Sequence, residues 1–147
     1  MTSARAVAYS SLAIVVALYV VGAVSVPPGS LRHEVQTLPL WFPIIAGLEQ
    51  RELAKWAALP CMIFWLTIMI FIWLFMLGWA RIVTGHFPPV EIAMTLVVGA
   101  ASVVGLFVIA RWRTAVRPIT AAGMFFLFGA LQLLVFRLSL LPYVAHR

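Results

Sequence analysis

Four stretches without a single charged residue, 6–26, 57–80, 92–110 and 118–136, fill more than half of this 147-residue chain. A helix rises about 1.5 Å per residue, so roughly 20 residues span the hydrocarbon core of a bilayer. Each stretch has 19 to 24 residues and is long enough. With 65% apolar and only 10% charged residues, the chain cannot clothe itself for water, since soluble domains are roughly a quarter charged. The sequence therefore predicts an all-α integral membrane protein, a four-transmembrane-helix up-down bundle. It forms a single membrane domain over 1–147, with spans at about 6–26, 57–80, 91–110 and 118–140.

Between the first two spans, 30–56 is the least regular part. Arg32, His33 and Glu34 precede eleven uncharged residues, 38–48, which are too few to cross. Pro39 and Pro43 each remove a backbone donor and are expected to break a helix there, while Trp41 and Phe42 suit the head-group boundary. The expectation is an interfacial or re-entrant segment, followed by a short charged helix over 49–55. Arg5, the apolar run behind it and Ala23-Val24-Ser25 imitate a secretory signal peptide, but the run is long for one and reads as a retained span.

Ten Lys and Arg against four acidic residues give a net charge of +6. In a soluble protein that would suggest nucleic acid; in a membrane protein it points to anionic lipid head groups, and no nucleic-acid partner is expected. With four crossings, Arg5, Arg81, Arg137 and Arg147 share one side and Arg32, Arg51, Lys55, Arg111, Arg113 and Arg117 the other. The density of arginines over 111–117 marks that second side as cytoplasmic, which places both termini outside a plasma or bacterial inner membrane.

Small residues let helices approach closely in lipid, where apolar burial gives no net drive. The third span carries Thr95, Gly99 and Ser102 at i, i+4 and i+7, with Ala101 and Gly105 beside them. This is the best helix-contact face in the chain. The first span offers a second face in Ala6, Ser10, Ala13 and Ala17, and the fourth offers Ala122, Phe126 and Gly129 as a partial mate to the third.

With four crossings, Arg81, His86, Glu91 and Arg137 converge at the outer ends of the later spans, and Gln132 is the one strongly polar residue inside the fourth. They form the candidate ligand- or ion-binding set. Each also has a plainer use: Arg81 as an anchor, Glu91 at a helix terminus, Arg137 reaching back to the interface. Cys61 reads as a small core hydrophobe. His33 and His86 are expected on opposite sides, which disfavours haem, and no cluster has metal-ligand spacing. No nucleophile stands at a definable spacing from a base, so no catalytic residue, metal or cofactor is assigned. The leading expectation is a non-catalytic multi-pass membrane subunit, forming a homo-oligomer or docked on other membrane subunits through the Thr95 face. The alternatives are a small transporter or channel with a polar route near Glu91, Gln132 and Arg137, and a lipid-handling enzyme using His86 and Glu91 as acid and base.

Overall fold

The computed structural model describes residues 2–24, 32–83, 85 and 87–141. They form five helices: α1 (Ser3–Val24), α2 (Arg32–Leu48), α3 (Leu53–Met76), α4 (Pro89–Arg111) and α5 (Pro118–Ser139). Four of them, α1, α3, α4 and α5, are long and apolar enough to cross a membrane. Large apolar side chains remain exposed along every helix, among them Val16, Ile45, Ile63, Phe107 and Phe126. That is the surface a bundle presents to lipid rather than to water.

The segment expected at the interface is instead a regular helix in the bundle. A Cβ on Gly22 would touch His33, and one on Gly47 would lie 2.6 Å from the Ala4 carbonyl. α2 therefore runs back antiparallel to α1 along most of its length. Pro39 and Pro43 do not break it, for a geometric reason. Four residues apart, they forfeit bonds to the carbonyls of Val35 and Pro39, so both losses fall on one helical face. Close by, Gln132 of α5 donates its side-chain N–H to the Gln36 carbonyl at 3.2 Å. That bond ties α2 to α5 within one turn of Pro39.

α2 is also patterned inside out. Beyond the charged first turn, where Glu34 is exposed, its exposed residues are Leu38, Trp41, Phe42, Ile45 and Leu48, while Gln36 and Thr37 are buried with Leu40 and Ile44. Water would favour the reverse.

A tight reversal joins α2 to α3. Gln50 adopts φ 59°, the left-handed conformation, and the amides of Gln50 and Arg51 return to the carbonyls of Gly47 and Ala46 at 3.1 and 2.8 Å. These paired bonds form a Schellman cap, and the same motif ends α3 at Gly78, with φ 75°. Beside the first reversal, Lys55 donates to the Trp112 carbonyl and the Glu52 carboxylate accepts from the Ala115 amide at 2.8 Å. These two bonds moor the α4–α5 connection to the start of α3.

α3 touches all four other helices, α4 lies against α1 and α3, and α5 lies against α3 and α2. The expected pairing of α5 with the small face of α4 does not form; Ala122 and Phe126 point outward and Gly129 meets Pro60. One end of the bundle gathers Ala4, Gly47, Lys55 and Trp112. The opposite end gathers Gly22, His33, the α3–α4 connection and Ser139, whose hydroxyl accepts from Gln36 at 2.8 Å. The beginning of α1 and the end of α5 thus lie at opposite ends, because α2 adds a fifth pass along the bundle.

Candidate functional site

At the Ser139 end, a cavity of about 330 Å³ lies between α1, α2, α3, α4, the α3–α4 connection and Phe136 of α5. Its size falls at the lower end of the range for ligand sites. Along α4 its lining runs from Glu91 to Val98 and along α3 from Ile72 to Trp65, positions seven apart in each case, or about 10 Å of depth. Arg32, His33 and Glu91 stand at the shallow end; Met69, Met94 and Val98 lie along the apolar walls. Gln36 and Thr95 complete the polar lining, and both are already engaged. Gln36 bonds Ser139, while the Thr95 hydroxyl donates to the Ile92 carbonyl at 2.7 Å and accepts from the Trp73 indole at 3.1 Å.

Three buried atoms on residues that line this cavity have no hydrogen-bond partner: Nε of Arg32, Nδ1 of His33 and Nε1 of Trp65. An unmet donor in an apolar setting costs about 1–3 kcal/mol. Trp65 is only 2% exposed, so solvent does not satisfy its N–H. Among the described residues the one ion pair joins the exposed side chains of Arg51 and Glu49, so Arg32 has no carboxylate within that distance.

Of the four described side chains expected to form the binding set, one reaches this cavity. Glu91 lines it from the first turn of α4, half-buried. Arg81 is exposed on the α3–α4 connection and Arg137 is exposed in the last turn of α5, neither on the cavity wall. Gln132 is fully buried one layer away, bonded to α2 and outside the cavity lining. His86 falls outside the described residues. The side chains that join Glu91 are Arg32 and His33, which four-span counting assigned to the opposite side. Only recognition of α2 as a lengthwise helix would have moved them.

The expected helix-contact face is buried between helices of this same chain. A Cβ on Gly99 would lie 2.5 Å from the Trp73 ring, and one on Gly105 would meet the Met62 thioether at 2.3 Å and Ser10 at 3.2 Å. Thr95 and Ser102 are buried, with the Ser102 hydroxyl unpartnered, and Ala101 is half-buried. α3 and α1 occupy the groove in which a second subunit would have to fit.

Among the described residues no three His, Cys, Asp or Glu side chains come together as a metal site. The cavity carries Arg32, His33 and the Glu91 carboxylate at its rim and an apolar shaft below. The chain matches no family model, no curated protein and no solved structure.

Proposed function

We propose that this chain is a non-catalytic membrane protein that takes a small amphiphile from the bilayer into the cavity between α1, α2, α3 and α4. The observation that carries this reading is the amphipathic lining, with Arg32, His33 and Glu91 at the rim above Met69, Met94 and Val98. A lipid-derived molecule meets both environments at once. Association through the Thr95 face has less support, because Trp73 and Met62 already fill it. A conduction path is also less supported, since Gln132 is tightly enclosed and away from the cavity.

In this reading all five helices lie in the membrane. α2 has 17 residues, about 25 Å of helix, and its outward face is apolar. Recounted for five passes, Arg5, Arg51, Lys55, Arg111, Arg113 and Arg117 stand at one end, against Arg32, Arg81 and Arg137 among the described residues at the other. The positive-inside bias puts the start of α1 in the cytoplasm and opens the cavity toward the outer leaflet. Membrane-impermeant thiol labelling of Glu34→Cys and Arg51→Cys in intact cells checks this, because Cys61 is buried and stays silent. Glu34→Cys should label from outside and Arg51→Cys only after permeabilisation. Equal labelling from one side would return α2 to the interface.

The binding itself is tested by filling the shaft. Met94 is half-buried on the wall, and Met94→Trp adds bulk there with little demand on the core. Purified wild type should carry a lipid-extractable amphiphile, or bind a fluorescent single-chain probe, and Met94→Trp should lose it while melting as the wild type does. Identical occupancy in the two proteins would refute the cavity as the binding place.

A further inference from the structure

We infer that the rim of this cavity recognises an oxyanion, a carboxylate or phosphate carried on one apolar chain; this rests on the amphiphile-binding reading above. Arg32 carries the argument. Its guanidinium is always charged and is half-buried, and its Nε–H is buried and unpaired. Among the described residues no carboxylate stands within ion-pair distance of it. A cation withdrawn from water without a counter-charge is costly, and a charge-assisted bond to an oxyanion removes that cost.

Two further features at the rim favour the same chemistry. Arg32 and His33 form the first turn of α2 together with the exposed Glu34, and backbone N–H groups there have no partners within the helix. His33 also brings an unpartnered buried Nδ1. Glu91 lines the same cavity from the first turn of α4, and both Arg32 and Glu91 act electrostatically on His33. The shaft beneath it is apolar, and its depth of about 10 Å suits a single chain end-on better than a two-chain lipid.

The test uses the full chain in neutral detergent and displacement of a fluorescent single-chain probe. The competitors are a carboxylate, a phosphate monoester and a trimethylammonium of one chain length, with binding to Met94→Trp subtracted as micelle background. Wild type should prefer one or both oxyanions over the cation by about tenfold, the scale of one charge-assisted bond. Which oxyanion displaces better tells a free fatty-acid type of ligand from a phosphate-headed lipid. Arg32→Gln should bring the oxyanions level with the cation while retaining the wild-type melting temperature, and Arg32→Lys should recover part of the preference. Binding that ignores the head group, yet disappears in Met94→Trp, overturns the oxyanion assignment and leaves the amphiphile reading intact. Displacement no greater than in Met94→Trp overturns both.

Discussion

Replacing Gly47 by leucine should cost about 3 kcal/mol or more and separate α2 from α1, the largest effect expected of any single substitution in the chain. A Cβ at this position would lie 2.6 Å from the Ala4 carbonyl oxygen and 2.9 Å from the Ala8 Cβ. Neither obstacle can rotate away, since one is backbone and the other is the first atom of its side chain. Overpacking of a tight core typically costs 1–3 kcal/mol, and the upper end applies where the neighbour is rigid. Even alanine should be felt here, because the clash begins at Cβ. Reversible unfolding in mixed micelles measures the loss, and labelling of Arg51→Cys in the same background reports whether α2 stays in place. A Gly47→Leu protein as stable as wild type would mean that α1 and α2 do not approach as described.

Gly99→Leu should destabilise the bundle by about 2–3 kcal/mol, and the loss should not depend on protein concentration. The atom in the way belongs to the same chain: the Trp73 ring lies 2.5 Å from where the new Cβ would stand. Moving that ring also gives up the indole bond to Thr95, worth about 1 kcal/mol. Trp73→Ala should therefore rescue Gly99→Leu in part, so that the double variant is more stable than the two separate losses added together. A loss that appears only on dilution, with no rescue by Trp73→Ala, would instead make Gly99 the contact with a second subunit. Gly105→Ala should be milder than Gly99→Ala, even though its Cβ would approach Met62 more closely, at 2.3 Å, because a thioether end is flexible and gives way.

These two glycines also show where sequence reasoning reached its limit. The small face at Thr95, Gly99 and Ser102 is legible as a helix-contact face, because in lipid small residues mean close approach whatever the partner is. Which helix fills it is not legible. Trp73 and Met62 approach from α3, and a bulky side chain on one helix is as good a filler for a glycine notch as another small face. The candidate site was legible only in Glu91, whose place after Pro88 and Pro89 in the first turn of α4 follows from local chain chemistry. Arg32 and His33 were hidden by the prolines of α2. A rule that holds well in water, that proline ends a helix, fails in α2, where both lost bonds fall on one face and the helix packs against α1, α3 and α5.

Sequence by itself determined the solvent and the rods: charge-free stretches of 19 to 24 residues admit hydrocarbon surroundings and helical backbone and little else. The ends of α3 and α4 were also local matters, with Gly78 able to take φ 75° and Pro88-Pro89 ready for a first turn. Tertiary structure alone decided that 32–48 is a fifth rod, and with it which charges share an end of the bundle. The physical reason is that α2 draws its stability from contacts distant in sequence, with Ala4, Ala8, Gln132 and Ser139. Hydropathy counts what each residue prefers as a solvent, and cannot count what a neighbouring helix offers it.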